Sequence, residues 1–260
     1  MRFEEIIVFF TVLTGSICLV NFLYRKIKHK NKSTAKQMWI IEASKSFFPV
    51  FLIVLLLRSF LFEPFRIPSG SMKPTLLEGD FIVVNKYAYG LRLPITGETL
   101  IPIGKPKVGD IIVFRDKDKD LIKRVIGLPG DHVRYSDKQL YINDKIIPNT
   151  VVNVTQDRGM YTVMSTENLD NIVHNIYEYP QISRRYAFAD VIVPPNCYFV
   201  MGDNRSNSDD SRVRGFITDK QIVGKAVATW MSWDSENDSE MIPIRWSRIG
   251  KSIYKYSDAS

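Results

Sequence analysis

Ser69 and Ser71 stand on either side of a glycine in the stretch Glu63-Pro64-Phe65-Arg66-Ile67-Pro68-Ser69-Gly70-Ser71-Met72-Lys73-Pro74-Thr75-Leu76. A serine hydroxyl attacks a carbonyl only when a neighbouring base takes its proton, so the stretch is a candidate nucleophile if the chain supplies that base. The histidines are His29, His132 and His174, and none has a recognisable triad context. Lysine is the alternative, provided its amine is neutral. In Leu121-Ile122-Lys123-Arg124-Val125-Ile126, strand alternation puts Lys123 with Leu121 and Val125, and Arg124 on the opposite face with Ile122 and Ile126. An ammonium between apolar neighbours loses hydration, and lowering its pKa from about 10.4 to about 8 takes roughly 3 kcal/mol. Arginine cannot be neutralised in this way. Lys73, two residues beyond Ser71, is the rival base and is expected to point to solvent ahead of Pro74. A Ser-x-x-Lys pattern ending at Lys73 fails, because the position three before it is Gly70. Taken alone, a Lys-Arg pair in a strand is more often a surface feature, and Ser69-Gly70-Ser71 an ordinary turn.

The elements that must hold these residues follow from hydropathy and charge. Pro68 and Pro74 fix φ and bias the residues before them toward extended backbone, so the serine segment should leave a helix ending near Phe62 as a ribbon. Ile6 to Tyr24 runs 19 residues without a charge, enough to cross about 30 Å of hydrocarbon. Its acidic start at Glu4 and Glu5 and lack of a small-x-small end argue against a cleavable leader. Arg25, Lys26, Lys28, Lys30, Lys32 and Lys36 follow without an acid, which sets this loop on the cytoplasmic side. Ser46 to Phe62, interrupted by Arg58, reads as a short second span, with Met38 to Lys45 partly interfacial. The expected organisation is therefore residues 1–24 as outward N-terminus and first transmembrane helix, 25–38 as basic cytoplasmic loop, 39–62 as interfacial segment and second transmembrane helix, and 63–260 as a β-rich domain on the outer face.

The net charge of +7 invites a nucleic-acid reading. It fails on distribution, because residues 1–62 carry 9 Lys/Arg against 3 acids and residues 63–260 carry 26 against 25. Cys18 and Cys197 predict neither a disulfide framework nor a metal site. From Phe81 onward, short β-branched and aromatic runs predict strands: 81–84, 110–114, 121–126, 132–135, 139–142 and 198–201, with a hairpin turn at Asn143-Asp144-Lys145. The domain is read as mostly β, a folded sheet system with a hairpin excursion. Residues 152–185 are polar and tyrosine-rich, and are expected to be an insertion with little regular structure. Trp230, Trp233 and Trp246 read equally as core and turn residues and as an apolar face at lipid headgroups.

Three stretches together resemble the bacterial type I signal peptidases, the leader peptidases. They are Pro68-Ser69-Gly70-Ser71-Met72-Lys73-Pro74-Thr75-Leu76, Ile122 through Asp131, and Met201-Gly202-Asp203-Asn204-Arg205 continuing through Asn207-Ser208 to Asp210-Ser211-Arg212. They occur in that family's order, and the likeness runs from about Ile40 to Ile249. The resemblance implies a mostly β, signal-peptidase-like catalytic domain of folded antiparallel sheets behind two N-terminal transmembrane helices. It implies a Ser71 nucleophile and a Lys123 general base, with Lys73 at the variable position of the serine box. The Ser71 backbone N–H and the Ser69 hydroxyl would hold the oxyanion. Ser208 would hydrogen-bond the lysine and Asp210 and Arg212 would form a supporting ion pair, with Arg124, Gly202 and Asp203 supporting the site as well. Asp209 departs from the small residue often found there, and is expected to face solvent because an inward carboxylate would raise the lysine pKa. Phe65, Ile67, Met72, Leu76, Ile82, Val113 and Ile122 match positions lining sites for small side chains at −1 and −3 of the cleavage point. The implied activity is removal of N-terminal signal peptides from exported preproteins at the outer, periplasmic face of the inner membrane. No metal or other cofactor is implied; the partners are preproteins, membrane lipids and the secretion translocon, and not nucleic acid. A self-cleaving repressor-like peptidase would carry a DNA-binding domain in place of the two spans. The other alternative is a membrane-anchored β scaffold without proteolytic activity.

Overall fold

The computed structural model describes residues 3–27, 39–60, 62–92, 98–181, 188–234 and 243–254. The basic loop beyond Ile27 and the end of the 152–185 stretch from residue 182 lie outside them. The chain divides into two units, residues 1–62 with 91–102, and residues 63–90 with 103–260.

The first unit holds helix α1 (Phe3–Ile27) and helix α2 (Trp39–Phe60). Both are long and apolar enough to cross a membrane, with mean hydropathy of 2.3 and 1.8 in their apolar segments. The second helix is continuous through Arg58 and takes in Trp39 to Lys45 as well, so the apolar helix is longer than the run read from composition. Pro49 is accommodated inside it. The helices pack where α1 is thin: a Cβ on Gly15 would come within 2.8 Å of the Phe48 ring, and the Phe10 and Phe51 rings stack at 5.7 Å. Their outward faces expose Phe9, Val20, Phe22 and Ile53, as a lipid solvent permits.

In chain order the strands are β1 (Phe62–Arg66), β2 (Asp80–Asn85), β3 (Gly90–Arg92), β4 (Thr99–Pro102), β5 (Ile111–Asp116), β6 (Lys119–Gly127), β7 (His132–Ser136), β8 (Gln139–Ile142) and β9 (Lys145–Ile146). They continue as β10 (Asn149–Asp157), β11 (Met160–Leu169), β12 (Ile172–Glu178), β13 (Phe188–Ile192), β14 (Cys197–Met201), β15 (Ile217–Thr218), β16 (Ile222–Ser232) and β17 (Lys251–Ser252). The main sheet has the order β1-β2-β16-β5-β6-β14-β15, with β17 also on β16; β13-β7-β8-β9 and β10-β11-β12 form two smaller sheets. The ladders β2–β16, β16–β5, β5–β6 and β6–β14 are all antiparallel. The second unit is thus mostly β, in folded antiparallel sheets, as the strand-like text predicts.

Both faces of the main sheet are covered at its centre. Alternate residues of β14 go to different clusters: Phe199 and Met201 pack with Ile126, Val133 and Leu140, while Tyr198 and Val200 pack with Ile112, Phe114 and Val125. A third cluster lies against β2 and β5. Strands covered on both faces read as unbroken apolar runs, which is why Ile111–Phe114 and Tyr198–Met201 stand out in the sequence. Lys123 and Arg124 lie on β6, between β5 and β14, in the most covered part of this sheet.

The expectation of little regular structure in residues 152–185 is corrected: β10, β11 and β12 form two successive hairpins there. β10 exposes both of its faces, so it shows no apolar alternation, although the two hairpin turns carry a legible signal in Arg158-Gly159 and Asp170-Asn171, all at positive φ. The core reading of the tryptophans is corrected too. Trp230, Trp233 and Trp246 are all exposed, and Trp230 meets the Phe81 ring edge-on at 5.7 Å.

Candidate active site

The serine ribbon is clipped to β2 before it turns. The Ile67 N–H donates to Asp80 O at 2.8 Å, and the Ile67 carbonyl accepts from the Gly79 N–H at 3.0 Å. Ser69 is extended at φ −144°, ψ 155°, and a single 3-10 turn over Gly70–Met72 follows. Lys73, ahead of Pro74, returns to extended backbone at φ −59°, ψ 141°, as a pre-proline residue prefers. Ser71 is buried inside the turn, whereas Ser69 is exposed on the approach to it.

Lys123 comes to Ser71 from β6. Its Nζ lies 2.8 Å from Ser71 Oγ and 2.9 Å from the Ile122 carbonyl oxygen, and the residue is only 3% exposed. Burial lowers its pKa from 10.5 to about 8, against the opposing pull of the Asp210 carboxylate and with a smaller contribution from the Arg214 charge in the same direction. Asp209 and Asp203 act with Asp210 to raise it. Asp209 is neither turned onto the lysine nor free in solvent: its half-exposed carboxylate pairs with Arg214 at 2.5 Å, and Arg214 pairs with Asp116 as well.

The segment from Gly202 to Arg212 wraps this pair. Arg124 grips Asp203 in a fork, Nε to Oδ1 at 2.8 Å and Nη2 to Oδ2 at 2.7 Å, and donates to Gly109 O at 3.0 Å. Thr75 donates to Asp203 Oδ2 at 2.5 Å, which ties the end of the serine loop to the same carboxylate. Burial pushes the Asp203 carboxyl up, but Arg124, His174 and the Thr75 hydrogen bond bring it below the ordinary value. Asp210 likewise stays low despite burial, held by Arg212 and the Gly202 N–H. Arg212 also donates to Arg205 O at 2.8 Å, so the pair braces the loop from within. Gly202 is obligatory: a Cβ there would lie 2.3 Å from Ser208 Oγ and 2.4 Å from Ser71 O. The Ser208 hydroxyl is buried against this glycine and makes no hydrogen bond to Lys123.

Of the apolar positions, Ile67, Met72, Leu76, Ile82, Val113 and Ile122 fall in one buried cluster, with Phe65 partly buried against it. Met72, Leu76 and Ile82 are wholly covered, so Phe65 and Ile122 are the ones nearest solvent. Cys18 and Cys197 are free thiols. No cluster of metal-ligating side chains is present among the described residues.

Other residues at the site carried no usable signal in the sequence. Lys73 does not point to solvent: it is 8% exposed, and its Nζ lies 3.0 Å from Asp157 Oδ1, a partner 84 positions away that no local pattern announces. Thr75, Asn204, Glu167, His174 and Tyr179 join the polar network around the loop in the same long-range way. Asn204 lies inside a recognised stretch but reads there as a turn residue.

Fold and site together define a class: a mostly antiparallel β unit with a buried serine–lysine contact, preceded by two apolar helices that anchor the chain in a membrane. The chain belongs to the family described as signal peptidase, peptidase S26, which matches residues 40–233. It is 46% identical over 231 residues to a signal peptidase I of Pseudomonas fluorescens, covering 83% of this chain and 80% of that one. It is 45% identical over 229 residues to the signal peptidase I of Pseudomonas aeruginosa, with the same coverage. Among solved structures, a signal peptidase I from Enterococcus faecalis V583 matches 47% of this chain and 97% of its own at 31% identity, with a TM-score of 0.30.

Proposed function

We propose that this protein is a membrane-bound serine endopeptidase that removes N-terminal signal peptides from preproteins, with Ser71 as nucleophile and Lys123 as general base. The observation that carries the reading is the 2.8 Å contact between Ser71 Oγ and a lysine nitrogen buried deeply enough for its pKa to fall to about 8. Lys123 takes the Ser71 proton as Oγ bonds to the scissile carbonyl, then returns it to the leaving amine as the carbon–nitrogen bond breaks. Water, deprotonated by the same amine, hydrolyses the resulting ester. The Ser71 N–H and the Ser69 hydroxyl receive the oxyanion, and Asp210, Arg212, Ser208, Arg124, Asp203 and Gly202 hold the surrounding loops. The substrate lies extended beside the serine ribbon, and the apolar cluster around Phe65 and Ile122 accepts small side chains at −1 and −3. The basic loop after α1 holds the N-terminus and the β unit on the outer, periplasmic face of the inner membrane. There the exposed tryptophans meet lipid headgroups, and the translocon delivers the preprotein. A β scaffold would need neither a buried amine nor a serine in contact with it.

The test is preprotein cleavage by the full chain in detergent micelles, with Ser71→Ala and Lys123→Ala beside Lys73→Ala. The first two abolish turnover, while Lys73→Ala, whose amine reaches Asp157 rather than Ser71, keeps measurable turnover. Full activity in Lys123→Ala with none in Lys73→Ala would reverse the base assignment. Wild-type cleavage by all three would place the chemistry elsewhere.

A further inference from the structure

The peptide group that joins Gly70 to Ser71 is gripped at its carbonyl end. Gly70 O accepts from Asn204 Nδ2 at 3.0 Å and from the Lys73 N–H at 3.1 Å, and the Asn204 N–H donates to Ser71 O at 3.1 Å. In a trans peptide the N–H points opposite the C=O, so whatever orients Gly70 O also aims the Ser71 N–H. Asn204 is buried, and turning its amide over would set Oδ1 against Gly70 O, two acceptors face to face. The same Nδ2 has a second partner that fixes the position of the amide further, Tyr179 Oη at 3.3 Å. The Tyr179 hydroxyl donates in turn to Asp157 Oδ2 at 2.6 Å, and Lys73 Nζ closes the circuit at 3.0 and 3.2 Å from the two Asp157 oxygens.

Asp157 is the last residue of β10, at the Arg158-Gly159 turn into β11. The same turn is tied to the far end of the serine loop by Arg158 Nη2 to Glu78 Oε2 at 2.7 Å. Tyr179 is secured to the Asn204 segment through backbone bonds from Tyr177 N–H to Asp203 O at 2.9 Å and from Arg205 N–H to Tyr177 O at 2.8 Å. The β10–β11 hairpin is thus fastened to both the loop that carries Ser71 and the loop that wraps it.

We propose that Lys73, Asp157 and Tyr179 form a latch which, through Asn204, sets the orientation of the Gly70–Ser71 peptide and hence aims the Ser71 N–H at the developing oxyanion. The inference rests on the assignment of Ser71 as nucleophile. All four are positioning residues, acting through the peptide rather than on the substrate, and Lys73 of the serine loop gains a role distinct from that of the base Lys123 on β6. Burial opposes ionisation of Asp157, but the Tyr179 and Lys73 hydrogen bonds with the nearby charges hold its carboxyl below the ordinary value, so Asp157 is a carboxylate at working pH. A misaimed donor weakens binding of the transition state and leaves the bound substrate untouched, so its loss belongs in kcat.

The experiment is steady-state cleavage of a preprotein by the full chain in detergent micelles, comparing Tyr179→Phe, Asp157→Asn, Lys73→Met and Lys73→Arg with wild type. Tyr179→Phe and Asp157→Asn lower kcat by about tenfold or more, part of what loss of a whole oxyanion donor costs, with KM within about twofold. Lys73→Met follows them, and Lys73→Arg recovers most of the loss. The double variant Tyr179→Phe/Asp157→Asn is no worse than the poorer single one, as expected for members of one chain. The midpoint of the pH–rate curve does not move, since Lys123 is outside the circuit. Wild-type kcat in both Tyr179→Phe and Asp157→Asn would overturn the latch, as would a rise in KM with kcat intact or a fall in kcat that only tracks a lowered Tm. If Ser71→Ala or Lys123→Ala still cleaves, the underlying assignment fails instead.

Discussion

Gly202 and Ser71 are pressed together so closely that a single methyl group on Gly202 would sit 2.4 Å from the Ser71 carbonyl oxygen. That oxygen belongs to backbone and is already held by the Asn204 N–H at 3.1 Å, so it cannot give way cheaply. Gly202→Ala should therefore displace the serine loop itself. Displacement on the order of 1 Å at a reacting atom costs about 10²-fold, and a loss of that size in kcat is the expected outcome in a cleavage assay. Activity within twofold of wild type would mean the loop relaxes without moving Ser71.

Arg124 and Asp203 are both almost wholly buried and bonded at two points. Removing one partner leaves the other charge uncompensated, so Arg124→Met should destabilise the fold by about 3–5 kcal/mol, read as a lowered Tm or denaturant midpoint. Arg124→Lys should recover little of this, because an ammonium cannot reproduce the fork to Asp203 and the bond to Gly109 O.

Lys123 should behave in the opposite sense. Its folded pKa of about 8 lies below the 10.5 of an ordinary lysine, so between those values the unfolded chain holds a proton that the folded chain has lost. Folding stability then rises with pH through this window, and below pH 8 the folded state carries a penalty of about 3 kcal/mol. Lys123→Met should be inactive yet more stable than wild type at pH 7, with the gap closing by about pH 10.5. Thermal unfolding at several pH values checks this.

The Arg214–Asp209 pair sits in the field of the base. Arg214 lowers the Lys123 pKa and Asp209 raises it. Arg214→Gln should move the rising limb of the pH–rate curve to higher pH, and Asp209→Asn should move it to lower pH. Both groups are about two-fifths exposed, so high salt should shrink the two displacements.

The parts of this site that could be read from sequence are those written in local pattern. Apolar runs of sufficient length give the two helices, β-branched runs give the covered strands around Lys123, and Pro68 and Pro74 give the extended backbone on either side of Ser71, but not the 3-10 turn over Gly70–Met72 that carries it. The hairpins between residues 149 and 178 escaped because β10 lies open on both faces, and burial on one face is what writes alternation into a strand. The burial of Lys73 is illegible in the sequence for a related reason. Its neighbours in sequence say only that it precedes a proline, while its burial comes from Asp157 across a separate sheet. The same holds for Tyr179 and Thr75, whose partners are set by tertiary approach rather than by spacing.

The most direct measurement is kcat/KM for preprotein cleavage by the full chain between pH 5 and pH 10.5. A neutral Lys123 as base requires a single-proton rise with its midpoint near 8 and a plateau above it. A curve flat across that range, or one that first climbs near the ordinary lysine value, would mean that the amine 2.8 Å from Ser71 is not the base.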